Sequence, residues 1–63
     1  MKVTVFYDKN NKRRRKTINY PDRDWLCVFD FEKIKSRIQR SCPWDSVIMR
    51  KVCVGSEEYV GLW

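Results

Sequence analysis

The chain has 63 residues, the size of one small domain spanning 1–63, and its 14 Lys and Arg against 8 Asp and Glu leave a formal net charge of +6. At 43% apolar it is too hydrophobic to read as a disordered polyelectrolyte, even with 35% of its residues charged. No run is apolar and long enough for a membrane-spanning helix, and the alternating N-terminal segment does not read as a secretion signal.

Met1 to Asp8 alternates as a strand does, with Val3, Val5 and Tyr7 on one face and Thr4, Phe6 and Asp8 on the other. Asn10-Asn11 follows. Asn accepts positive φ better than any residue but Gly, so this pair predicts a two-residue hairpin turn into a second strand from Arg13 to Tyr20. That turn sets Val3 opposite Ile18, Thr4 opposite Thr17, Phe6 opposite Arg15 and Asp8 opposite Arg13. Each pair is chemically sensible: two β-branched residues, two hydroxyls, a cation over a ring and an ion pair.

Pro21 to Asp24 breaks the strand. Trp25 to Phe29 reads either as a short strand or as a buried lead-in to a helix. Asp30 is the expected N-cap, with Glu32 in the first turn. Phe31, Ile34 and Ile38 then recur at helical spacing, Ser41 or Cys42 continues the stripe, and Pro43 stops a helix of about 12 residues. Ser46 to Val54 predicts a central strand because both faces are largely apolar: Ile48, Val52 and Val54, interrupted by Arg50, on one, and Val47, Met49 and Cys53 on the other. Gly55-Ser56-Glu57 turns the chain into a closing strand from Glu58 to Trp63.

The elements add up to a small ββαββ domain of the α+β class. One helix packs on a mostly antiparallel, or else mixed, four-stranded sheet. Ubiquitin-like folds share this order of elements, a likeness of topology that carries no function.

The chemistry of the chain argues against catalysis. It has no His, the commonest general base and metal ligand. Cys27, Cys42 and Cys53 form no C-x-x-C and read as small core hydrophobes, so neither a metal nor a cofactor is expected. Free thiols suit a reducing compartment, the cytoplasm, or the host cell's cytoplasm for a viral protein. Asp22, Asp24, Asp30 and Asp45 have turn, cap and linker roles, and the two glycines cannot build a phosphate-cradling loop. Size and basicity fit a stand-alone product of the phage or mobile-element kind.

What stands out is Lys12-Arg13-Arg14-Arg15-Lys16, five consecutive cations. Guanidinium groups grip phosphates bidentately, and each neutralised phosphate releases counterions, so the run points to nucleic acid. The plainer account is an edge strand kept soluble and unpaired by its charge. Lys33, Arg37 and Arg40 form an arc on the helix that either joins the hairpin surface or is an ordinary solvated face. Phe6, close to the run, and Trp25, Trp44 and Trp63 are candidate aromatic contacts, or else they close a small core. The sequence therefore predicts a non-enzymatic module that binds nucleic acid through a basic β-hairpin. The competing expectation is an inhibitor or adaptor that docks on an acidic surface or sheet edge of a larger host protein. An uncovered edge strand also allows a homodimer, and no membrane partner is expected.

Overall fold

The computed structural model describes residues 1–41 and 44–63. Strands β1 (Lys2–Lys9) and β2 (Lys12–Asn19) are joined by Asn10 and Asn11 at φ 52° and 67°. Two consecutive left-handed residues twist the turn in the sense of the strands it joins. The turn fixes the anticipated register: Val3 faces Ile18, Thr4 faces Thr17, Phe6 faces Arg15 and Asp8 faces Arg13.

Helix α1 (Val28–Ser41) lays Phe31, Ile34 and Ile38 on Val3, Val5, Ile18, Met49 and Val52, and these eight side chains are the buried core among the described residues. It begins two residues before Asp30, so Asp30 is not its N-cap. Cys27 holds that place. The Asp30 backbone N–H donates to the Cys27 carbonyl (3.0 Å), and Asp30 Oδ2 accepts from the Cys27 backbone N–H (2.8 Å). Asp30 thus acts as the third helical residue of a capping box, reaching back to an otherwise orphaned donor. An acid serves a helix start from either place, and here the apolar stripe begins a turn after the backbone does. The segment from Trp25 to Phe29 is not a strand and is a lead-in buried only in part: Leu26 packs against the core and Cys27 is half-buried, whereas Trp25, Val28 and Phe29 are 59%, 58% and 69% exposed. Cys42 and Pro43, expected to extend the stripe and to stop the helix, lie outside the described residues.

Strands β3 (Val47–Val54) and β4 (Glu57–Tyr59) complete a sheet of order β2-β1-β3-β4, antiparallel throughout, so the mixed arrangement does not occur. β3 is interior as anticipated, but not because both its faces are buried. Phe6 lies opposite Lys51 and Tyr7 opposite Met49, leaving Arg50 as an extra residue, a β-bulge. The bulge shifts the alternation by one, so Val47 and Met49 before it and Val52 and Val54 after it all turn toward the helix. Ile48 is left 52% exposed on the other face. β4 is shorter than the expected Glu58–Trp63 strand. Gly61 takes φ 75°, and Trp63 lies with its ring centroid 6.1 Å from that of Phe31. Trp63 is thus half-buried against the core. No helix among the described residues is long and apolar enough to cross a membrane.

Candidate functional site

The helix covers one face of the sheet, and among the described residues no element packs over the other. Strand alternation places Phe6 of β1 in the middle of that open face, with Arg13 and Arg15 on β2 to one side and Arg50 and Lys51 on β3 to the other. The cation over the Phe6 ring is Lys51, whose Nζ stands 5.0 Å from the centroid, rather than Arg15 across the hairpin. Asp8 is buried among these groups, 8% exposed. Its Oδ2 accepts from Arg50 Nε (2.7 Å) and also from the Arg50 NH2 group. The expected Asp8–Arg13 pair is therefore replaced by Asp8–Arg50, because the bulge turns Arg50 onto the open face within reach of the acid. The carboxylate raises the Arg50 pKa further above its ordinary value. Phe6, Asp8, Arg13, Arg50, Lys51 and Val60 border a shallow groove of about 470 Å³.

Among the described residues, four of the eight acids are held by particular cations. Asp8 takes Arg50, Asp30 takes Arg23 (2.5 Å), Asp45 takes Lys9 (3.5 Å) and Glu58 takes Lys51 (3.2 Å). Among the described residues, none of Lys12, Arg13, Arg14, Arg15 and Lys16 has an acid partner. Arg13 and Arg15 stand on the open face. Lys12, Arg14 and Lys16 turn the other way, Arg14 opposite Tyr7 and Lys16 opposite Val5, at the margin of the helix-covered face. Four of the five are exposed and Lys16 is half-buried.

The tip that carries the run is braced. Asn10 donates through Nδ2 to Asp45 Oδ1 (2.9 Å), and its Oδ1 accepts from the Ser46 backbone N–H (3.0 Å). Its own backbone N–H donates to the Ser46 carbonyl (2.8 Å), and Gln39 Nε2 of the helix donates to the Asp45 carbonyl (2.9 Å). The turn residue chosen for its conformation is thus also the clamp between hairpin and β3. Trp44, 83% exposed, sits beside Asp45 at this end.

The other candidate residues separate from the hairpin. Lys33, Arg37 and Arg40 lie on the solvated side of α1, away from the open sheet face, where they border a second depression with Phe29, Glu32 and Ser36. Trp25 is at the helix start, with the Arg23 guanidinium 5.2 Å from its ring centroid. Neither Trp25 nor Trp44 closes the core, and Trp63 does. The structure therefore brings Phe6 together with Arg13 and Arg15, places Lys12, Arg14 and Lys16 on the adjoining margin, and sets the helix arc apart. Sequence reasoning missed Arg50 and Lys51. The signal was present in Arg50 itself, a charge interrupting an apolar alternation, which is how a bulge reads in sequence.

Among the described residues no group of three His, Cys, Asp or Glu is placed to hold a metal ion. Cys27 and Cys53 are half-buried free thiols, and Cys42 lies outside the described residues. No family model, curated protein or solved structure matches the chain.

Proposed function

We propose that this is a non-enzymatic nucleic-acid-binding domain whose site is the open sheet face together with the basic hairpin. The observation that carries the reading is the run Lys12–Lys16, five consecutive cations with no acid partner among the described residues, while Lys9, Arg50 and Lys51 of the same sheet have one. The backbone phosphates lie along Arg13 and Arg15, with Lys12, Arg14 and Lys16 at the margin, and Arg50 and Lys51 close the far side. Phe6 offers a ring on a central strand of an uncovered sheet face, where an unpaired base can stack in place of the Lys51 ammonium that stands over it. Stacking needs a base face free of its neighbour, so single strands are the favoured ligand. The Asn10 clamp holds the cations in place before binding and lowers the ordering entropy that association would otherwise cost.

The test is the salt dependence of Kd. Neutralising about five phosphates gives a log–log slope of about −3.5 on single strands and about −4.5 on duplex DNA. Binding that is absent, or flat with salt, on both probes removes the reading.

A second reading rests on the outer edge of β2, eight residues long and paired only on its β1 side. An acidic extended segment of a larger protein could add itself there as a fifth strand, the mode of an inhibitor or adaptor. Partner recovery that survives nuclease treatment supports this second reading, and recovery lost to nuclease supports the first.

A further inference from the structure

The two basic surfaces lie back to back. Buried Phe31, Ile34 and Ile38 turn one side of α1 to the sheet, so helical geometry sends Phe29, Lys33, Ser36 and Arg40 to the opposite pole, with Arg37 on its flank. From Glu32 to Arg40 the helix carries Lys33, Lys35, Arg37 and Arg40 against the single acid Glu32. Phe29, 69% exposed, sits on the same face as Lys33 and Arg40 and one turn before Lys33. Such a face repeats the chemistry of the open sheet, cations around a solvated ring, on the far side of the molecule.

We infer that the outer face of α1 is a second nucleic-acid site, and that the domain bridges two separate strands. This rests on the reading of the open sheet face as the first site. The occupant follows from charge: a face this basic is complementary to a phosphate backbone, and Phe29 adds a ring for a base. The dimensions permit both sites to fill at once. The Cα trace measures 32 × 19 × 18 Å, so strands on opposite faces are held apart by roughly twice the Debye length of about 8 Å at physiological salt. Their mutual repulsion is therefore screened, and the second strand binds with little penalty from the first. A strand of about five nucleotides is too short to reach from one face round to the other, so two such strands are needed to occupy both sites.

The experiment is a capture assay with two strands of about five nucleotides, unable to pair with each other. One is immobilised through biotin and the other is fluorescent. The intact protein is expected to retain the fluorescent strand on the support. Lys33→Gln, Arg37→Gln and Arg40→Gln together should lower that retention by about ten-fold, while Kd for one strand in excess protein stays within about two-fold. Intact protein that binds a single strand with the expected salt slope but retains no second strand overturns the bridging inference and leaves the first site standing. Retention that survives the helix substitutions also overturns it, because two copies of the first site in a dimer would then be the bridge. Failure to bind even one strand removes the first site and the bridge together.

Discussion

Two groups of cations in this protein look alike in composition and behave differently in the fold. Lys9, Arg23, Arg50 and Lys51 each have a carboxylate, and two of those carboxylates, Asp8 and Asp30, are buried. Lys12 to Lys16 have none among the described residues. The paired cations are fastened to the structure, and a carboxylate buried without its cation would be costly. The charges of the hairpin run contribute mutual repulsion to the folded state, five like charges within one strand length. Charge that the fold does not use, held on a braced hairpin, is charge available to a partner. The comparison makes a prediction of kind: substitution in the first group reads out in stability, and substitution in the second reads out in binding.

The largest effect is expected from the second group. Arg13→Gln, Arg14→Gln and Arg15→Gln together keep the aliphatic stems and remove three charges. At about 1 kcal/mol for each lost phosphate contact, Kd for a single strand rises about 100-fold, and the salt slope falls by about 2. The same variant should melt within about 0.5 kcal/mol of the parent, or slightly higher as repulsion is relieved. A binding titration and a thermal melt of one sample decide the matter. A large loss of stability with unchanged affinity would reverse the assignment of this group.

The first group is tested at Asp30. Arg23 donates to both carboxylate oxygens (3.0 and 2.5 Å) and the Cys27 N–H to one of them. Chiefly through the Arg23 hydrogen bonds, with burial opposing them, the Asp30 pKa falls from its ordinary 3.8 to about 2. The folded state then binds fewer protons than the unfolded state between those values, so lowering the pH through this window favours unfolding. The contribution is complete above pH 4 and is lost as pH falls toward 2. Asp30→Asn should destabilise the domain by about 2–3 kcal/mol at neutral pH, with Tm lower by about 10–20 °C for a domain of this size. Its stability should also fall less steeply than the parent's from pH 4 to pH 2. Circular-dichroism melts across that range check both points. An acid limb of equal slope in the two proteins would show that Asp30 is not the group being titrated.

The fold was legible in the sequence wherever one local rule acted alone. Asn10-Asn11 could hardly be anything but a two-residue turn, and the turn then dictated every partner of β1 in β2. Phe31, Ile34 and Ile38 announced their stripe for the same reason. Legibility failed where a tertiary contact chose between two acceptable local readings. Asp30 suits an N-cap or a capping box equally, and Arg23 and Cys27 select the second. Arg50 looks like a polar interruption until β3 is laid beside β1, when one extra residue becomes visible. The site shared this division. Phe6 and the hairpin cations could be read along one strand, whereas Arg50 and Lys51 arrive on the same face only through a pairing across 40 residues of chain, as in the Asp8–Arg50 bond at a separation of 42. For the same reason the helix arc was indistinguishable in sequence from a continuation of the hairpin surface.

The smallest effect tests whether a cation can be moved from one group to the other. Lys51 and Glu58 form the most solvated of the pairs, with side chains 39% and 60% exposed. An exposed pair of this kind contributes between 0 and about 1 kcal/mol, so Glu58→Gln should leave the melt within about 0.5 kcal/mol of the parent. The same substitution removes a negative charge from the open face and releases Lys51, which already stands over Phe6. If available charge decides binding, Lys51 becomes one more phosphate contact. The single-strand salt slope should then steepen by about 0.7, and Kd at low salt should fall by several-fold. Loss of a nearby carboxylate alone would raise affinity through the general field without adding a counterion, so the slope distinguishes the two causes. An unchanged slope with a modest gain in affinity would place Lys51 outside the path of the phosphates and confine the binding surface to the β2 side of Phe6.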